Sequence, residues 1–101
     1  LYDSAFIWYR KAMQLADELK LTVWNGIISG NMGQIYYEQK KYDTALALLL
    51  TDHRISTKEG LFDNAANSLQ WAARTNIQLG NKTTALQQVR EALHHWIHLP
   101  Y

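Results

Sequence analysis

Laid against itself with an offset of forty residues, the chain matches in kind. Ala5 falls on Ala45 and Ala85, Tyr2 on Tyr42, Asp3 on Asp43, and Ser4 on Thr44 and Thr84. Phe6 falls on Leu46 and Leu86, Tyr9 on Leu49 and Val89, Ala12 on Ala92, Leu21 on Leu61, and Gly33 on Ala73. Small residues meet small ones and large meet large. A helix-turn-helix unit of that length cannot bury its own apolar face. Repeated at constant stride it buries that face against its neighbours, which makes a stacked solenoid. The count is the second helix of one repeat (1–20) followed by two full repeats (21–60 and 61–101), five helices in a single domain.

Five segments carry helical periodicity. In Tyr2 to Lys20 the residues Ala5, Phe6, Tyr9, Ala12, Met13, Ala16 and Leu19 share one face, with Asp3 and Ser4 placed to favour the helix start. Thr22 to Gln39 follows, with Thr22 as the expected N-cap. Gly26, Gly30 and Gly33 in it each cost about 1 kcal/mol against Ala, a spacing that points to close approach of another backbone. A phosphate-binding loop is the rival reading, but no Gly-Lys-Ser/Thr follows and no strand precedes it. The turn Lys40-Lys41 leads into Tyr42 to Ile55, apolar around much of its girth and so expected to be covered on more than one side. Ser56 to Gly60 reads as a stop and turn. Leu61 to Leu79 is the fourth helix, and Thr83 to Leu99 the fifth, ended by Pro100. Within Ser29 to Asp52, the small Gly33 and Ala45 would let two backbones approach while Tyr36 and Leu49 fill the space beside them.

Composition narrows the function. The 101 residues suffice for one modest core. A formal net charge of +1 supplies no field to recruit nucleic acid or an anionic membrane, and Lys40-Lys41 and Arg10-Lys11 are too sparse for a phosphate track. The absence of cysteine excludes disulfides and thiolate metal sites. No apolar run approaches the ~20 residues needed to span a bilayer. Leu1 opens straight into amphipathic sequence, as expected for a segment of a longer protein, cytoplasmic or periplasmic, and no localisation is read from it.

These residues resemble the tetratricopeptide (TPR) repeat family. Met32-Gly33-x-x-Tyr36 is similar to the family's Leu-Gly-x-x-Tyr, Ala45-x-x-x-Leu49 and Ala85-x-x-x-Val89 to its Ala-x-x-x-Phe, with Ala92 at a later small position. Tyr2-x-x-Ala5-x-x-x-Tyr9-x-x-Ala12 resembles the same second-helix pattern. The forty-residue period resembles the long-repeat branch. Departures are Ser29 and Leu69 at the usual Trp position, Asp52 at the later Ala position, Thr57 and Ile97 where Pro usually stands, and Asn76 for Tyr. The resemblance implies an all-α, right-handed α-solenoid whose concave groove is lined by the first helix of each repeat. Carried over by position, the groove residues are Ile27, Gly30, Asn31, Gln34, Tyr37 and Glu38, and then Asn67, Gln70, Trp71, Arg74 and Gln78. Amides there can pair with an extended peptide backbone, Trp71 supplies area, and Arg74 can fork onto a carboxylate. The family's carboxylate clamp is not matched, because Gly30 and Gln34 stand where it needs Lys and Asn.

The expected function is therefore a noncatalytic protein-protein interaction module, without cofactor or metal, that binds a peptide or partner helix in that groove. The alternative is a sensory or regulatory segment of a bacterial signal-transduction protein such as a histidine kinase or transcription regulator. Enzyme chemistry finds little support. His94 and His98 share a face as a zinc pair would, but His95, Trp96 and Ile97 lie between them and no Glu base is placed. His53 beside Asp52 has no nucleophile placed for it. Aromatic residues on the end helices (Phe6, Trp8, Tyr9, Trp96 and Tyr101) are expected to be exposed and to favour self-association.

Overall fold

The computed structural model describes residues 2–96, the side chains of Tyr2 and Trp96 excepted. All regular structure among them is helical: α1 (Tyr2–Glu18), α2 (Thr22–Glu38), α3 (Tyr42–Lys58), α4 (Phe62–Gln78) and α5 (Lys82–Trp96). Each helix begins twenty residues after the one before it. The forty-residue period is thus two equal strides, and the architecture is that of a helical repeat. Pro100, His98, Ile97 and Tyr101 lie outside the described residues.

The equal stride comes from four equivalent turns. At each helix end one residue enters the left-handed region: Lys20 (φ 57), Lys40 (φ 62), Gly60 (φ 75) and Gly80 (φ 84). Its N–H donates to the carbonyl three residues back, and the next N–H donates to the carbonyl five back. Examples are Lys40 to Tyr37 at 2.9 Å, Lys41 to Tyr36 at 2.9 Å, and Leu61 to Ser56 at 2.8 Å. This doubly bonded closure satisfies the last carbonyls of each helix and reverses the chain in three residues. The next helix starts without help from a side chain. Leu21, Lys41 and Leu61 occupy the N-cap positions and make no capping bond. Thr22 is therefore the first helical residue and not the N-cap. Neither a Leu nor a Lys side chain carries an acceptor for the N–H groups of the first turn.

The third helix runs one turn beyond the end expected at Ile55. The polar Ser56 does not break it, since its hydroxyl donates to Asp52 Oδ1 at 2.8 Å inside the helix. The stop waits for Gly60.

Sequential helices pack on one another, and the backbones of α2 and α4 also approach, whereas among the described residues α1 packs on α2 alone and α3 meets α5 through the His53 side chain and not backbone to backbone. The assembly measures 40 × 33 × 17 Å. The α2–α3 contact is the closest fitted. A Cβ added at Gly26 would lie 2.9 Å from Ile55 Cγ2, and one at Gly33 would lie 2.8 Å from Leu49 Cγ and 3.2 Å from the Ala45 carbonyl. One added at Gly30 would overlap the Asp52 carboxylate. The notches run 26, 30, 33 while the side chains that fill them run 55, 52, 49, so the helices are antiparallel. Leu49, Ala45 and Ala72 form one buried cluster, with Tyr36, Tyr37, Leu46 and Trp71 packed round it. Ala66, Leu69 and Ala92 form a second. As expected, α3 is covered on two sides, by α2 and α4.

The ends differ from expectation in part. Phe6 is buried, its ring 4.6 Å from that of Tyr36, and Tyr9 is half-buried, while Trp8 is exposed. Ala5 is half-buried where Ala45 and Ala85 are fully buried. The side chain of Trp96, like Tyr101, lies outside what is described.

The turn geometry predicts a reversal of sign between the two kinds of turn residue. Lys20→Gly and Lys40→Gly relieve a left-handed Lys and should each raise stability by about 0.5–1 kcal/mol. Gly60→Ala and Gly80→Ala should each lower it by about the same amount. Urea denaturation followed by far-ultraviolet circular dichroism reads both.

Candidate functional site

The residues expected to line a groove sit on α2 and α4, the pair of non-sequential helices that meet. Ile27 borders a hollow with residues 60–64 at the start of α4, and Tyr37 meets Trp71 further along, so α2 and α4 run in the same direction. The Tyr37 and Trp71 rings pack edge to face with centroids 5.5 Å apart. The Arg74 guanidinium lies over the Trp71 ring at 4.6 Å. Tyr42, at the start of α3, adds a third ring 5.6 Å from Tyr37. The result is a row, Tyr42–Tyr37–Trp71–Arg74, that crosses three helices. Its aromatic members are half-buried and Arg74 is exposed. A guanidinium resting over an indole is held by its cation–π attraction and keeps N–H groups for a carboxylate or carbonyl.

The remaining positions are less closely knit. Asn31 and Gln34 are half-buried and Asn67 and Gln78 exposed, and none makes a side-chain hydrogen bond among the described residues. Glu38 is exposed and engaged in an interaction of its own. Gln70 is half-buried, and its buried Oε1 has no hydrogen-bond partner among the described residues. Gly30 does not belong with this set. It is buried against α3, where its missing side chain makes room for Asp52. Tyr42 was not among the expected residues. Its signal was positional, an aromatic side chain directly after the Lys40-Lys41 turn, which brings it back beside the end of α2.

A second polar set lies inside the protein. Asp52 is 4% exposed. Its Oδ1 accepts from Ser56 Oγ at 2.8 Å and from Asn64 Nδ2 at 2.8 Å, and that amide also reaches Ser56 Oγ at 2.7 Å. The set joins α3 to α4 while the carboxylate's other side fills the Gly30 notch on α2. Burial raises the Asp52 carboxyl above the ordinary range, against the bonds from Ser56 and Asn64 and the neighbouring His53 charge, which pull it down.

His53 is a strut between helices. Its Nδ1 lies 3.0 Å from the Ala65 carbonyl, which can only accept, so that nitrogen carries a proton. Its Nε2 faces Glu91 Oε2 at 3.2 Å. The ring thereby ties α3 to α4 and α5. His95 stacks on Phe62 with centroids 5.6 Å apart. His94 is exposed, and its zinc-pair partner His98 falls outside the described residues. Among the described residues no three His, Asp or Glu side chains converge as metal ligands would. Asn76, at a position where the repeat pattern has Tyr, is buried, and its Nδ2 donates to Gln88 Oε1 at 2.9 Å.

Compared with known proteins, the chain matches no family model, no curated protein and no solved structure.

Two outcomes follow for Asp52. Gly30→Ala should cost on the order of 2–3 kcal/mol by overpacking, and in an Asp52→Ala background most of that cost should vanish, a coupling that a double-mutant cycle measures. The pH dependence has a definite sign. The folded carboxyl is raised, so between the ordinary carboxyl value of ~3.9 and the raised one the native state holds more protons than the unfolded chain. This contribution is present at low pH and is lost as pH rises through the folded value. Asp52→Asn cannot ionise, and its stability relative to the parent should rise as pH climbs from the ordinary carboxyl range through the raised folded value, as urea titrations at several pH values would register.

Proposed function

We propose that the protein is a noncatalytic interaction module of TPR-like type, a right-handed helical solenoid that takes an extended peptide or a partner helix across the face shared by α2 and α4. The carrying observation is the Tyr37–Trp71–Arg74 contact. It gathers an aromatic surface and a planar cation from two helices that are not consecutive in the chain. Buried aromatic area with an adjacent arginine is the composition in which binding energy concentrates.

The pattern of helix contacts supports the solenoid. First helices of consecutive repeats, α2 and α4, approach backbone to backbone, whereas second helices, α3 and α5, do not and are bridged by the His53 side chain. That is what an inner and an outer layer of unequal circumference produce. Along the inner layer Asn31, Gln34, Asn67 and Gln70 offer amides to a peptide backbone. Binding would be passive: the helices stand in place, and the protein orders little on capture. A carboxylate or a main-chain carbonyl of the ligand would sit on Arg74.

The test begins with a peptide selected from a random display library against the folded chain, its dissociation constant measured by fluorescence anisotropy. Arg74→Ala and Trp71→Ala should each weaken it about tenfold or more, and Asn31→Ala by less. Arg54→Ala, on α3, should leave it unchanged. Circular dichroism confirms folding of each variant. Unchanged affinity in both Arg74→Ala and Asn31→Ala refutes the site.

A further inference from the structure

The outward stripe of α4 is charged at its two ends and neutral between them. Asp63 and Arg74 stand eleven residues apart, close to three full turns, so they lie on one side of the helix. Both are exposed, as is Asn67 between them, whereas Ala65, Leu69 and Ala72 on the opposite side are buried. Asp63 lies in the first turn of α4, where the helix dipole favours an acid. Neither Asp63 nor Arg74 forms an ion pair among the described residues. Beside Asp63 a hollow of about 390 Å³ opens between Ile27 of α2 and Leu61 and Phe62 of α4. Along α2 the facing positions Ile27, Asn31, Gln34 and Tyr37 carry no charge at neutral pH. Glu38, the remaining charge on that side, is engaged in an interaction of its own.

We propose that the α2–α4 face takes an extended peptide carrying a basic and an acidic residue about five positions apart, with an apolar residue next to the basic one. This rests on the reading of that face as a peptide site and adds the conformation, direction and charge of the bound segment. Conformation follows from the amides. Asn31, Gln34 and Asn67 make no side-chain hydrogen bond among the described residues. They can pair with the open N–H and C=O groups of an extended chain, whereas a helix has already used its own internally. Spacing follows from the stripe. Eleven helical residues span about 16 Å, which ~5 residues of extended chain cover. A helical ligand would need its charges about eleven positions apart to match. Direction follows from charge. The basic residue meets Asp63 and the acidic one meets Arg74, held on Trp71 at 4.6 Å. The same segment laid the other way brings like charges together at both ends, which costs affinity. The apolar neighbour of the basic residue enters the hollow at Ile27, Leu61 and Phe62.

The probe is the tightest peptide selected from a random display library against the folded chain, read by fluorescence anisotropy. Its sequence should hold a Lys or Arg and an Asp or Glu about five positions apart. The double variant Asp63→Lys/Arg74→Asp should bind it at least about tenfold more weakly. The same peptide with its two charges exchanged should show the reverse preference, binding the double variant at least about tenfold more tightly than the parent chain. Circular dichroism checks that the variant is folded. If it is not, Asp63→Asn and Arg74→Gln carry the test, each weakening the original peptide about threefold. Three results overturn the charge pairing and leave the peptide site standing: a peptide sensitive to Arg74→Ala and Trp71→Ala that lacks the pair, one that binds as a helix, or a charge exchange that brings no recovery on the double variant. Indifference to Asp63→Asn does the same where that variant carries the test. No selected peptide, or one indifferent to both Arg74→Ala and Asn31→Ala, removes the site and the charge pairing together.

Discussion

The contact between α2 and α3 holds the structure's centre. Three glycines on α2 remove the side chains that would keep the two helices apart, and Leu49, Asp52 and Ile55 of α3 occupy the space they leave. Glycine is a poor helix residue, and three in one helix weaken it by ~3 kcal/mol in isolation. The packing offsets that cost: Leu49 is fully buried, and a buried leucine makes dozens of short dispersion contacts that a looser seam would lose. Because α3 is seated so deeply, its opposite side is free to carry α4, and α4 in turn carries α5. A Cβ at any of the three notches would press on the α3 side chain that fills it, Ile55, Asp52 or Leu49.

The same seam contains a carboxylate, and this makes it more specific than an all-apolar one. Asp52 lies where the repeat pattern calls for a small apolar residue. It is tolerated because Gly30 gives it room, and Ser56 and Asn64 supply hydrogen bonds. A buried carboxylate of this kind adds little net stability. A slip of one turn between α3 and α4 would take Asn64 away from it, while Ser56, on its own helix, would stay. Asn76 with Gln88, and His53 between Ala65 and Glu91, extend the same device to the α4–α5 side. The interior is thus apolar at its centre and keyed by polar groups at its helix-to-helix seams.

Uniform turns convert these pairwise contacts into a repeat. Four closures with the same backbone hydrogen bonds set the same stride, whether the left-handed residue is Lys or Gly. Where the stride brings α2 beside α4, it also brings Tyr37 beside Trp71. The aromatic row is therefore a consequence of the repeat and not an independent feature, and its spacing along the face follows from the helix spacing.

Much of this was determined by the sequence alone. The number of helices, their sites of reversal and the role of Gly33 and Ala45 follow from apolar spacing, from the polar breaks between the periodic runs and from where glycine stands. Both act within a few residues along the chain, so a linear reading finds them. The tertiary structure decided the rest. That Gly30 faces α3 and not outward, and that Asp52 is buried with Asn64 beside it, depend on which side chain arrives from another helix. So does the joining of Tyr42, Tyr37, Trp71 and Arg74, which come from three helices. Helical periodicity says which residues share a face, but the crossing of one helix on the next decides what that face meets.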